Sequence, residues 1–407
     1  LVACGWFGIQ TWIGGEAIYK ILQKSFPAWK KLPLLSGLEI DLEKFTALPQ
    51  TLTLIPHLGI NLPQLACFLF FWGINMFVIY RGIDSIRFLL NIKAPLLILL
   101  GLALLGWAYH SAGGFGNMLA QPSLFEAGGS RQGQFWLFFF PALTANVGFW
   151  ATLALNIPDF TRFSRSQRDQ IAGQALGLPA TMGLYSFIGV AVTSGASVIY
   201  PGEEQGKLWD PTYLLTLFEN RVILVVALVS LSVATLATNI AANVVSPAND
   251  FAHVWPRMIS FRTGGFLTGV IGILIMPWKL LENPAVYINK WLIGYSSLLG
   301  AVGGVLIADY FLIRRTRLDL PGLYRQQGPY WYSGGFNARA LIALVAGIAP
   351  SIPGFVYQVT TPPDQDLVVN FWTQLYSYAW FVSFGCSFAI YGVLMNLPVP
   401  SRPGSNS

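Results

Sequence analysis

QFWLFFFPALTANVGFWATLALN, residues 134–156, carries no charged side chain and, wound as a helix, is as long as a bilayer core is thick. That combination decides the fold class. Backbone groups inside lipid have no water to bond, so a spanning segment must satisfy them within a helix or a closed barrel. Pro141 removes one helical hydrogen bond, and Asn146 and Gly148 follow it near the middle. The span is therefore expected to be broken there; the alternative is a proline kink in a packed helix. Unwound backbone at this depth is tolerated only against protein or a cavity, which is where secondary transporters build substrate sites.

Outward from this segment, windows of about 19 residues give nine further candidate spans. They are 1–22, 62–80, 87–109, 176–200, 222–246, 262–278, 291–313, 337–356 and 372–396. The 407 residues are 54% hydrophobic, 14% aromatic and 10% charged, and the mean hydropathy is +0.55. An average soluble domain is about 25% charged, so the chain reads as an all-α polytopic membrane protein whose first partner is the lipid bilayer. The connectors are polar or rich in Gly and Pro and too short for a soluble domain, and residues 1–407 are read as a single transmembrane domain. The net charge of +6 is scattered over loops and makes no basic patch, which excludes nucleic acid as a partner. Cys4, Cys67 and Cys386 lie far apart in apolar stretches, and His57, His110 and His253 fall in or beside loops, so no disulfide framework or metal site is expected.

The cations report orientation. Arg81 and Arg87, Arg162, Arg165 and Arg168, Arg257 and Arg262, and Arg314, Arg315, Arg317, Arg325 and Arg339 occupy alternate connectors. The intervening ones hold Glu203 and Glu204, or Asp364 and Asp366; the connector after the first span, with Lys20, Lys24, Lys30, Lys31 and Lys44, is the exception. The positive-inside rule places the arginine set and the C-terminus in the cytoplasm. The chain opens on Leu1 inside an apolar run and is expected to be incomplete at its N-terminus, and with the first span entering from the cytoplasm an even number of spans would precede it if the true N-terminus is also inside.

Several polar residues sit where lipid or packed helix is expected. Trp6 and Gln10 are four apart and share a helical face, where an indole and a carboxamide could stack on and bond to a flat polar heterocycle; alternatively Gln10 joins two helices and Trp6 is interfacial. Asn239 and Asn243 repeat that spacing in 222–246, and two buried amides on one stripe are costly without partners. The neighbouring stripe holds Ala234 and Thr238, with Ala237 beside them: either oxygen ligands for a hard cation such as Na+, or small residues for close packing. Glu16 points away from the Trp6 and Gln10 face and is expected to snorkel or to act near a gate. There is no catalytic acid–base or nucleophile arrangement and no Walker loop, so neither an integral membrane enzyme nor an ATP-driven pump is expected.

Three strings carry a resemblance: GWFGIQTW at 5–12, NVGFWATLALNIPDF at 146–160 and ATLATNIAANVVSPAND at 234–250, supported by MPW at 276–278, ADYFLIRR at 308–315 and LYRQQGPYWYSGGFN at 323–337. Together they resemble the nucleobase:cation symporter-1 family, transporters of cytosine, uracil, allantoin, hydantoins and related cyclic amides. The resemblance implies a leucine-transporter-type fold, a five-plus-five inverted repeat with two extra helices, of which the ten spans would be helices three to twelve. Residues 1–109 would then close the first repeat, 134–313 form the second, 337–396 hold the two extra helices and 397–407 form a cytoplasmic tail.

Carried over residue by residue, the resemblance has Trp6 and Trp150 sandwiching a small planar heterocyclic substrate. Gln10, Asn239 and Asn243 would bond its amide edges, Gly148 or Phe149 would offer an unwound backbone group, and Leu292 would cap the pocket. Ala234 and Thr238 fit the cation helix of the Na+-dependent members, while Ala237 stands where those members can place a serine hydroxyl. The function implied is a symporter importing a nucleobase or related cyclic ureide, coupled to H+ or Na+ by alternating access, without other cofactor, as a monomer of the plasma (inner) membrane. An uncoupled solute channel or substrate sensor using the same pocket is the alternative.

Overall fold

The computed structural model describes residues 1–25, 31–33, 39–41, 60, 62–81, 83–281, 286–326, 328–362 and 369–398. The expectations placed on Lys30, Lys44, His57, Asp364, Asp366 and most of the tail 397–407 lie outside them. Ten principal helical segments fall on the ten windows. We label them α1 (Val2–Ser25), α2 (Leu62–Arg81), α3 (Ile83–Ser111), α4 (Phe135–Asn156), α5 (Gln167–Ile199), α6 (Arg221–Asn243), α7 (Phe261–Leu274), α8 (Ile293–Ile307), α9 (Ala338–Ile348, extended through one 3-10 turn to Thr360) and α10 (Ala379–Asn396). Seven helical segments among the described residues are long and apolar enough to cross a membrane; Pro95–Ser111 and Phe261–Leu274 are shorter apolar helices, and α1, which carries Glu16 and Lys20, is in neither group. A short antiparallel pairing of Lys31–Pro33 with Glu39–Asp41 lies in the connector after α1.

Local sequence sets the helix ends. Asn220 caps α6 by accepting from the Val222 and Ile223 amides, Ser166 caps α5 through the Asp169 amide, and Asn337 caps α9 through the Ala340 amide. α6 is rich in β-branched residues and is nonetheless helical, as backbone with no water to bond must be. The helix is interrupted at Val244, and the chain runs on as the helix Val245–Val254. α8 is prolonged by π-helical turns at both ends, Val286–Leu292 and Ala308–Ile313.

The chain groups into two compact units. The first comprises Leu1–Ser123 with Pro158–Lys279 and the second Leu124–Ile157 with Leu280–Ser407. In the first, α1 is central, and glycines bring backbones together: a Cβ on Gly8 would stand 2.3 Å from the Gly272 oxygen of α7, and one on Gly15 2.7 Å from the Phe68 Cα of α2. Trp72 Nε1 donates to the Gly269 oxygen at 3.0 Å and ties α2 to α7. Phe71 packs with Leu236 and Ile240 of α6, and Ala108 and Met118 with Ile188 and Ala191 of α5.

The second unit is built the same way. A Cβ on Gly300 would meet the Trp380 oxygen at 2.5 Å, the Ser297 and Ser383 hydroxyls bond at 2.7 Å, and Ser387 Oγ donates to the Ala301 oxygen, so α8 and α10 lie backbone to backbone. At the far end of α8 the Tyr391 hydroxyl donates to Asp309 at 2.7 Å, Arg314 pairs with the same carboxylate at 3.5 Å and donates to the Tyr332 hydroxyl. The ADYFLIRR and LYRQQGPYWYSGGFN strings are thereby joined. Outward surfaces of both units are apolar, as at Leu176, Val222 and Trp136, each more than 60% exposed; such side chains belong against lipid tails.

Candidate functional site

The first unit brings Trp6, Gln10, Asn239 and Asn243 onto the packed pair α1 and α6. Trp6 is buried; Gln10 is half-buried, and its amide has no hydrogen-bond partner among the described residues. Asn239, fully buried, donates through Nδ2 to Asn75 Oδ1 at 3.1 Å, to Thr11 Oγ1 at 3.0 Å and to the Phe7 oxygen at 3.3 Å. Its Oδ1 accepts from Asn243 Nδ2 at 3.1 Å. Asn239 therefore clamps α1, α2 and α6 to each other, and its Nδ2 is committed to these contacts. Asn243 lies at the edge of this network, 8% exposed, and its Oδ1 accepts from no described residue.

Thr11 and Asn75 escaped the sequence reading. Thr11 looked like an ordinary hydroxyl that could bond its own helix, as it does at the Phe7 oxygen. Asn75, in FFWGINMFVIY at 70–80, was the better signal: an amide at the centre of a very apolar span demands a partner across helices.

The neighbouring stripe contributes one side-chain oxygen. Thr238 Oγ1 gives its proton to the Ala234 oxygen at 2.8 Å, a carbonyl already inside the helix ladder, and Ala237 adds no side-chain oxygen. One side-chain hydroxyl is fewer than the several oxygens that a hard cation takes, so the side chains of these three residues would not complete a Na+ site without further ligands. Glu16 is held by Lys20 at 3.4 Å and by the Gln64 amide at 3.2 Å.

In the second unit the helix expected to be broken is continuous from Phe135 to Asn156. Pro141 costs only the bond to the Leu137 oxygen, and no turn unwinds around it. Asn146 donates to the Ala142 oxygen at 2.9 Å, within its own helix. Gly148 serves packing: a Cβ there would stand 2.8 Å from Ser296 Cβ and 2.9 Å from the Leu292 oxygen, and the Gly148 oxygen accepts the Tyr295 hydroxyl at 2.9 Å. Neither Gly148 nor Phe149 offers an unwound backbone group, because the α4 ladder and α8 hold the backbone in place. Leu292 is buried at this helix contact. Phe149 and Trp150 lie edge to face at 5.3 Å, and Trp150 is half-buried. A separate cavity of about 350 Å³, walled mostly by apolar atoms including Trp291, Phe355 and Tyr376, touches none of the residues nominated from sequence.

Comparison with known proteins bears on what these elements serve. Residues 1–383 match the family model described as permease for cytosine/purines, uracil, thiamine, allantoin. The chain belongs to this permease family. Relatives include the purine-uracil permease NCS1 of Arabidopsis thaliana, 43% identical over 97% of this chain and 61% of that protein. Another is the allantoin permease of Bacillus subtilis (strain 168), 37% identical over 97% of this chain and 73% of that one. The chain thus spans about three fifths of the length of the plant relative. The hydantoin permease of Microbacterium maritypicum is 29% identical over 86% of this chain and 64% of its own length.

Among solved structures, Mhp1, a nucleobase-cation-symport-1 family transporter in a closed conformation with bromovinylhydantoin bound, superposes with a TM-score of 0.62 at 22% identity, over 97% of this chain and 73% of that one. That likeness concerns the fold: all-α, polytopic and of the leucine-transporter type. The chain is an integral, multi-pass membrane protein of a family of transporters.

Proposed function

We propose that this permease imports a nucleobase or related cyclic ureide as a secondary active symporter, by alternating access. The observation that carries the reading is the pair of uncommitted amide groups in the first unit, Gln10 and Asn243 Oδ1, on two helices pinned together by Asn239 and with Trp6 on the Gln10 face. Unfilled hydrogen-bonding capacity beside an aromatic face suits a flat ring edged with amide groups. The relatives' names, purine-uracil and allantoin permease, support that substrate class. In the second unit Trp150 keeps the ring-stacking role that the family resemblance implies.

The coupling ion is proposed to be H+, since Ala234, Ala237 and Thr238 do not fit Na+ by themselves. The protein is proposed to act as a monomer in the plasma (inner) membrane, with the arginine-bearing connectors and the C-terminus cytoplasmic, as the charge distribution argues. Uptake of labelled uracil, allantoin, cytosine and hydantoin by cells or proteoliposomes carrying the protein, each competed with the unlabelled set, tests the reading. Concentrative uptake abolished by a protonophore is expected. Passive equilibration of the same solutes would replace the symporter with an uncoupled channel, and no uptake of any of them would overturn the substrate class.

A further inference from the structure

The hydrogen bonds around Asn239 have a direction, and two backbone carbonyls set it. A carbonyl oxygen only accepts. The Phe7 oxygen takes the Thr11 hydroxyl proton at 2.7 Å, and the Phe71 oxygen takes an Asn75 amide proton at 2.8 Å. Thr11 Oγ1 is left with lone pairs alone, and Asn75, with Nδ2 turned to Phe71, turns Oδ1 the other way. Both present acceptors, so Asn239 must answer with Nδ2, as it does. Its Oδ1 then faces Asn243, which must answer with Nδ2 in turn. Reversing any one amide would set oxygen against oxygen or nitrogen against nitrogen among residues at most 8% exposed, where no water replaces the lost bond.

From this chain of donors we infer that Thr11 and Asn75 are positioning residues that lock Asn243 as a hydrogen-bond acceptor, so that the permease selects substrates presenting a ring N–H at that edge. The inference rests on the reading of Asn243 as a substrate-facing residue. A primary amide free to rotate would accept from an N–H in one orientation and donate to a carbonyl or imine nitrogen in the other. An amide held through Asn239 by these anchored acceptors cannot exchange its two ends: the Oδ1 end of Asn243 only accepts, and its second Nδ2 proton stays at the other end. The substrate class is thereby narrowed to cyclic amides and ureides with an unsubstituted lactam nitrogen at the matching position; methylation of that nitrogen removes the donor and puts a methyl group against an oxygen.

The test uses the full chain in proteoliposomes. Whichever of uracil, allantoin and hydantoin is taken up best is competed with itself and with each of its ring N-methyl derivatives. In the wild type, at least one N-methyl derivative should compete about tenfold less well than the parent, the size expected when a buried polar group loses its partner. Thr11→Val with Asn75→Leu keeps side-chain bulk and removes two of the three acceptors that hold Asn239 Nδ2, leaving the Phe7 oxygen at 3.3 Å, and should lower the ratio clearly below that of the wild type as Asn239 and Asn243 gain freedom to turn. Thr11→Ser keeps the hydroxyl and should keep the discrimination. Thermal unfolding in detergent shows which variants are folded, and Thr11→Val alone, expected to fall between wild type and the double variant, serves if the double variant is not. An unchanged ratio in a folded Thr11→Val or double variant overturns the inference. A wild type that accepts every N-methyl derivative like the parent overturns it too, without recourse to any variant, and leaves the transport reading standing. Failure to take up any of the three compounds overturns both.

Discussion

Asn239 and Asn243 share a helical stripe and differ in what their amides hold. Removing the Asn239 side chain strands the Asn243 donor and the acceptors on Thr11 and Asn75. Each buried group left unpaired costs about 1–3 kcal/mol, although interhelical bonds in membranes average about 0.6. Asn239→Ala is therefore expected to lower the unfolding temperature in detergent and reduce uptake with it, whereas Asn243→Ala should reduce uptake at least as much with a much smaller thermal shift. Equal shifts would mean that Asn243 is packing only. The tryptophans separate in the same manner. Stacking on a base is worth about 1–3 kcal/mol by alanine substitution, so Trp150→Ala and Trp6→Ala should each weaken substrate binding about tenfold. Trp12 packs against Phe68 and Trp278 at ring distances of 6.2 and 5.9 Å, and Trp12→Ala should show its effect in stability rather than affinity. Wild-type affinity in folded Trp150→Ala would remove that residue from the site.

At the scale of elements, the glycine on α4 shows how a motif can be misassigned from sequence. Gly148 stood in a run with Pro141 and Asn146 and suggested unwound backbone, yet its lack of a Cβ lets α4 rest on α8 at the Leu292 oxygen and Ser296. Backbone cannot step aside as a side chain can. Gly148→Val should force the two helices apart and destabilise the protein by about 1–3 kcal/mol, the usual range for overpacking a tight contact. Thermal unfolding of the purified variant checks this. A variant as stable as wild type would show that α4 and α8 are not held at this contact. The proline is a milder feature: Pro141→Ala restores one helical donor and should leave stability equal or slightly raised.

For the whole molecule, coupling is the property most exposed to test. Three residues on α6 were nominated for a cation, and the structure gives them one hydroxyl, already bonded to the Ala234 oxygen. Uptake at fixed pH in Na+ and in choline buffers should therefore differ little, and should collapse when the proton gradient is dissipated. Ala237→Ser adds the oxygen that the α6 stripe lacks, and is expected to bring in or strengthen Na+ stimulation. Strong Na+ dependence in the unaltered protein would instead require that Thr238 with backbone groups suffices, and proton coupling would be withdrawn.

How much of this was legible beforehand follows from what water and lipid do to a chain. A bilayer offers backbone groups no partner, so hydropathy and length alone determined that the windows are helices, and motif strings such as ATLATNIAANVV determined the permease family. Caps at Asn220, Ser166 and Asn337 were local as well, since a capping side chain answers amides two or three residues away. What each buried polar group or glycine does was not local. Asn239 meets Thr11 and Asn75 from 228 and 164 residues away, and Gly148 meets Tyr295 across 147. Spacing shows which residues share a face and is silent on which helix that face meets. Only the packed helices decided that Asn239 is a clamp, that the α4 glycine is a contact, and that Asn243 Oδ1 accepts from none of the described residues.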